Sequence, residues 1–155
     1  YYTMGEKLGI DNIEAFAKAC GYGRTTGIDL PHENSGLVPS RAWKLRRFNE
    51  PWQGGETVNV SIGQGHTLVT PLQTAVFLAS LINGGDLLKP QLLDDAPREI
   101  KGKSPISAAH RELILDYMVR TVEAEEYLLD CVQRAGDFPL RAVRRLLCGG
   151  GISSA

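Results

Sequence analysis

From Thr25 to Gln73 the chain reads TTGIDLPHENSGLVPSRAWKLRRFNEPWQGGETVNVSIGQGHTLVTPLQ. No other stretch constrains the fold as much, because its local signals follow one another in an order that composition alone does not produce. Gly23, Gly27, Pro31, Gly36 and Pro39 punctuate the segment from Tyr22 to Pro39, which predicts a loop with only Ile28 to Leu30 extended. Pro39 and Ser40 then open a short basic helix through Arg47. Ser40 is its cap, Trp43 turns inward, and Arg41, Lys44, Arg46 and Arg47 stay in solvent. Trp52, Gly54 and Gly55 read as a turn into a half-buried strand from Thr57 to Ile62, where Val58, Val60 and Ile62 alternate with polar residues. Gly63, Gln64 and Gly65 form a tight turn. Thr70 to Gln73 supplies a capping box with Pro71 in the first helical turn.

The flanks are helical. Tyr1 to Leu8 reads as a helix closed by Gly9, after which Asp11 and Glu14 have the spacing of a cap for a second helix. Ile13, Phe16, Ala17 and Cys20 form its buried stripe, and Gly21 ends it. Leu72, Ala75, Val76, Leu78, Ala79 and Ile82 make Pro71 to Ile82 apolar on most sides, a core helix stopped by Asn83 and Gly84. Leu87 to Leu93 reads as extended around Pro90. Ser107 opens a further helix with Ile114, Tyr117, Met118, Thr121 and Val122 on one face.

Four blocks, TGIDLP (Thr26 to Pro31), SGLVPSRAWK (Ser35 to Lys44), RRFNEPWQGGET (Arg46 to Thr57) and SIGQGHTLVTPLQ (Ser61 to Gln73), stand in an order and spacing similar to one enzyme family. The chain resembles the transpeptidase domain of class B penicillin-binding proteins, in particular the elongation-type penicillin-binding protein 2. That resemblance implies an α+β fold, with helices around a central antiparallel sheet as in the serine β-lactamases. This chain would be a helix-rich fragment lacking most of the sheet. It further implies a peptidoglycan D,D-transpeptidase that cross-links stem peptides by serine acyl transfer and is acylated by β-lactams. The parent protein would be anchored in the cytoplasmic membrane, with a periplasmic catalytic domain serving the elongation machinery of the wall.

Residues 1–125 carry the resemblance and fit the segment between the family's SxN and K-S/T-G motifs. Residues 126–155 are an unrelated tail whose composition suits a foreign reading frame better than a divergent end. None of the three catalytic motifs is present. No serine has a lysine three positions on, none has Asn or Asp two positions on, and Lys103 and Ser104 run into Pro105. Ser40 with Lys44 is the near miss. The expectation is therefore no catalytic residue and no acyl transfer by this polypeptide alone, because the missing groups act as a unit.

Cofactor and metal residues are likewise expected to be none. Asp29, His32 and Glu33 cluster without the spacing of a metal site. The Gly63 to Gly65 turn lacks a third glycine and a βαβ setting for nucleotide binding. Cys20, Cys131 and Cys148 are odd in number and widely spaced, so no disulfide framework is indicated. A formal net charge of −1 on 155 residues points away from nucleic acid. The longest apolar run, Ala75 to Ile82, is far short of the about 20 residues a membrane span needs, so the expectation is a soluble fragment. Two other readings stay open. One is a noncatalytic module whose basic tail or Arg41 to Arg47 surface binds a partner. The other is half of a split transpeptidase completed by a neighbouring chain.

Overall fold

The computed structural model describes residues 1–93 and 97–123. The tail from residue 126, with its arginines, Cys131 and Cys148, lies outside the described residues. In chain order the elements are helix α1 (Tyr2–Ala19), α2 (Arg41–Phe48), α3 (Gly54–Ser61) and α4 (Pro71–Ile82). Strands β1 (Asp86–Leu88) and β2 (Ile100–Lys103) come next, and then helix α5 (Ala108–Glu123). Tyr1–Glu112 forms one compact unit and Leu113–Ala155 a second.

The expected break at Gly9 is present as a kink, φ 73° and ψ 158°, a region that glycine enters without a Cβ penalty. Asp11 does not cap the second half of the helix. Its carboxylate lies 3.1 Å from Arg41, and Glu14 meets Lys18 one turn later. Gly21 closes the helix at φ 96°. Its amide donates to Lys18 and that of Tyr22 to Ala17, the paired bonds of a Schellman end. Ile10 and Cys20 are buried and Ile13 and Ala17 half-buried, but Phe16 is 52% exposed, against expectation. At 3.6 residues per turn the stripe runs through Ile10, Ile13, Ala17 and Cys20, and Phe16 falls beside it.

Gly54–Ser61 is helix, which corrects the reading of Gly54 and Gly55 as a turn and of Thr57 to Ile62 as a strand. The Glu56 carboxylate turns back to accept the Gln53 amide at 2.7 Å and so nucleates the first turn. Thr57 is then buried, and Ser61, one turn on, faces Gly5 of α1. Strand preference reflects fit to a half-buried pleated surface, and packing of a small-residue helix face on α1 overrides it here.

α4 matches its expected bounds. Thr70 Oγ1 accepts the Gln73 amide at 3.1 Å, and Gln73 Oε1 accepts that of Thr70 at 3.0 Å. Gln73, Ser80 and Leu81 point inward and α4 packs on β1, while Leu78 and Ile82 are exposed. The extended stretch is shorter than expected. β1 pairs antiparallel with β2, Leu87 opposite Gly102, and the ladder ends near Pro90, which has no amide to donate. β2, reading IKGK, offers no alternating apolar pattern to announce it. Ser107 Oγ accepts the His110 amide at 3.3 Å at the start of α5.

Among the described residues, Ile10, Cys20, Val38, Leu81 and Leu87 are buried hydrophobic side chains, and Pro39 is buried with them. Tyr2, Met4 and Leu8 remain exposed on α1. The result is the helix-rich α+β fragment expected from the sequence, with a two-stranded sheet among the described residues.

Candidate functional site

Ser40 and Lys44, the near miss of a serine–lysine pair, are both engaged elsewhere. Ser40 Oγ accepts the Trp43 amide at 3.1 Å and caps α2, as its position after Pro39 predicts. Lys44 was expected in solvent, yet its side chain is 7% exposed and its Nζ lies 2.7 Å from Glu56 Oε2, with Glu50 at 3.7 Å. A buried ammonium needs a partner, and α3 supplies it from its N-terminal turn. Burial pushes the Glu56 carboxyl up. The hydrogen bonds from Lys44 and Gln53, with the charges of Lys44 and His66, outweigh that and hold it below the usual carboxylate range. Neither Ser40 nor Lys44 is available as nucleophile or base.

Around this pair lies an aromatic cluster. Trp43 meets Phe48 edge-on at 5.5 Å between centroids and His66 at 5.0 Å, and Phe48 and His66 are 5.4 Å apart. These are favourable offset geometries. Asn49 in the left-handed region ends α2 beneath Phe48, its amide donating to Leu45. Arg47 places its guanidinium 5.9 Å from the Phe48 ring centre. Trp52 is half-buried and donates Nε1–H to Thr57 Oγ1 at 2.9 Å.

The loop before α2 is held by two side chains. Glu33 accepts from the amide and hydroxyl of Thr26, both at 2.6 Å, and from the amide of Gly27 at 2.9 Å. Burial raises its pKa, and these bonds, with one from Ile28, reverse the shift to a net lowering. Asp29 turns away to Lys89 at 3.1 Å. The sequence cluster of Asp29, His32 and Glu33 is thus not brought together, and the described residues contain no group of three metal-capable side chains. Gln73 Nε2 donates to the carbonyls of Arg24 at 2.7 Å and Ser35 at 2.8 Å, tying both ends of the loop to α4. Leu37 and Leu68 exchange backbone bonds beside Gly36, φ 63°, where a Cβ would lie 2.4 Å from the Leu68 carbonyl oxygen. The turn glycines Gly63 and Gly65 have φ 74° and 77°, as the sequence suggests.

A small cavity of about 30 Å³ opens beside Cys20, Arg24, Thr26, Gln73, Leu87 and Lys101. That is room for about one water molecule and not for a peptide. Burial pushes the Cys20 thiol up to about 11, against a weaker pull from a Ser104 hydrogen bond, so it is not a nucleophile at neutral pH. Sequence reasoning missed Glu56 and His66, and it weighed Glu33 only as a metal ligand and not as the clasp of the loop. A Gln-x-x-Glu pattern at Gln53 and Glu56 was there to be read, but nothing local marks His66 or the clasp.

A family model described as penicillin binding protein transpeptidase domain matches residues 1–130. Peptidoglycan D,D-transpeptidase MrdA of Salmonella typhimurium is 44% identical over 93 residues, 60% of this chain and 15% of that protein. A penicillin-binding protein (PBP2) structure from Helicobacter pylori superposes with a TM-score of 0.72 at 30% identity, covering 80% of this chain and 24% of that one. The same protein in complex with MreC superposes with a TM-score of 0.64 at 32% identity, covering 79% and 22%. The chain therefore spans about a seventh of the curated relative's length and just under a quarter of the solved chains.

Proposed function

This chain belongs to the penicillin-binding protein transpeptidase family, and on that premise we propose that it is scaffold of a peptidoglycan D,D-transpeptidase of the elongation type. The observation that carries the reading is the 44% identity to MrdA over 93 residues. In the whole enzyme a serine is acylated by the donor stem peptide, a lysine activates it, and a second amine resolves the acyl-enzyme. On this reading residues 1–125 are the segment between the SxN and K-S/T-G motifs and 126–155 a tail of other origin, with the family match itself running on to residue 130. Supplying neither nucleophile nor base, this polypeptide contributes packing. Gln73 and Glu33 fix the loop, Lys44 and Glu56 join α2 to α3, and α4 supports the sheet.

The parent protein takes stem peptides and β-lactams in its active site and works with the wall-elongation machinery, a reading supported by the MreC complex of the Helicobacter protein. It is held in the cytoplasmic membrane by another segment, with its catalytic domain in the periplasm. None of the described helices is long and apolar enough to cross a membrane.

The test is a chimera in which this chain's matching residues replace the aligned segment of Salmonella MrdA, assayed for covalent labelling by a fluorescent penicillin. Labelling of the chimera together with none of the isolated chain is the expected result. A chimera that folds and is not labelled removes the reading, and so does a labelled isolated chain.

A further inference from the structure

The turn between α4 and β1 carries chemistry that a packing role does not use. Of the chain's asparagines, only Asn83 is followed by glycine. Asn83 is exposed, ends α4 and reaches forward to the start of β1. Its Oδ1 accepts the amides of Gly85 at 3.2 Å and Asp86 at 2.9 Å, and its Nδ2 donates to the Asp86 carbonyl at 2.9 Å. The Gly85 amide also takes the bond that closes the helix, donating to the Ser80 carbonyl at 2.8 Å. The Gly84 amide, at φ 94°, donates to no acceptor among the described residues. Beyond its chain neighbours, no described residue comes within 4 Å of where a Cβ of residue 84 would stand.

We propose that Asn83 is a site of spontaneous deamidation, in which the Gly84 nitrogen, its proton removed by hydroxide, attacks Asn83 Cγ and expels ammonia. The new N–Cγ bond closes a cyclic succinimide. Water then opens the ring at either carbonyl, leaving aspartate or isoaspartate at position 83. The balance is one water consumed and one ammonia released, with no change of oxidation state. Glycine has no Cβ to crowd the attacking nitrogen, and the Gly84 N–H carries no hydrogen bond that ionisation would break. The attack places negative charge on Oδ1, where the amides of Gly85 and Asp86 already point, as donors do in an oxyanion hole. Asn34 is the internal contrast, since it precedes Ser35 and its Oδ1 accepts the Gly36 amide at 2.8 Å. The product loosens α4 from β1. Nδ2 is gone, so the Asp86 carbonyl loses that donor, and a carboxylate now stands at the negative end of the α4 dipole. Isoaspartate also lengthens the main chain by a methylene shortly before Leu87, which is 2% exposed.

The test ages the 155-residue chain at neutral and at alkaline pH in water enriched in heavy oxygen. Peptide mass spectrometry then locates the change, and amide hydrogen exchange compares fresh with aged chain. Asn83 should lose its amide nitrogen and take up solvent oxygen before Asn12, Asn34, Asn49 or Asn59 does, and faster in alkali. Protection of the Gly85 and Asp86 amides should fall in proportion to the modified fraction. If Asn83 stays intact in the chain while the peptide Leu81–Leu88 cut from it is modified, the clasp protects rather than activates and the proposal is overturned. A fresh chain without protection at Gly85 and Asp86 overturns it as well, because the clasp would be absent.

Discussion

Lys44 Nζ sits 2.7 Å from Glu56 Oε2, joining α2 to the first turn of α3, with only 7% of the lysine side chain exposed. The carboxylate occupies a helix N-terminus, where the dipole also favours negative charge. Removing one member leaves the other uncompensated, a situation that costs about 3–5 kcal/mol when both are buried. Glu56 is 23% exposed and Glu50 lies nearby, which reduces the penalty. Glu56→Gln should therefore destabilise the chain by about 2–3 kcal/mol, and Lys44→Met by less, because its thioether fills the same space. Urea unfolding measures both. Equal losses, or none for Glu56→Gln, would show that the pair does not join the helices.

Gln73 should be as sensitive for a different reason. Its Nε2 donates to two loop carbonyls, Arg24 and Ser35, and the residue is 3% exposed. Gln73→Glu keeps the size and the acceptor but turns a carboxylate toward those carbonyls. It should cost more than Gln73→Ala, with the alanine loss at about 2–3 kcal/mol from unsatisfied carbonyls and the lost cap. Amide hydrogen exchange across residues 24–36 should rise in both variants. Protection unchanged in that loop would mean that Leu37 and Leu68 alone hold it.

Stability should also fall in acid, and Glu33 is the residue to test. Its folded pKa lies below the ordinary value, so its contribution is complete above about pH 4.3, where the unfolded carboxyl is also ionised. It fades as pH drops through the lower folded value, because the unfolded state then binds the proton more readily. Glu33→Gln should lower the melting temperature at pH 7 and flatten its decline between about pH 5 and pH 3. Wild-type and variant curves that stay parallel across that window would exclude Glu33 as the source.

The ends of elements were far more legible than their partners. Ser40, Thr70 with Gln73, Gly21 and Asn83 mark boundaries through local hydrogen bonds, and local chemistry is what a short window contains. Lys44 shows the opposite case. On its own helix it sits among Arg41, Arg46 and Arg47 and reads as another solvated cation, because the carboxylate that permits its burial is twelve residues away on a different helix. The same holds for Gln73, whose capping role is local and whose loop contacts are not. Val58, Val60 and Ile62 misled because alternation describes one sheet face only when a sheet is there to receive it. Here the receiving surface is α1.

That surface yields the last prediction. Gly5 lies inside α1, where alanine would ordinarily add up to about 1 kcal/mol of helix stability. A Cβ at Gly5, however, would stand 2.3 Å from Ser61 Cβ and 2.7 Å from its Oγ. Ser61 Cβ is one bond from the backbone and cannot rotate aside, so relief requires α1 and α3 to separate. Overpacking of this kind costs about 1–3 kcal/mol, which exceeds the propensity gain and reverses its sign. Gly5→Ala should therefore destabilise. Adding Ser61→Gly removes both close atoms and leaves Ser61 Cα at 3.7 Å, ordinary contact, so the double variant should unfold near the Ser61→Gly midpoint rather than below it. A double-mutant cycle in urea reads the coupling directly. Additive losses would mean that the two helices do not meet at this pair, and a stabilising Gly5→Ala would mean that helix propensity alone governs the position.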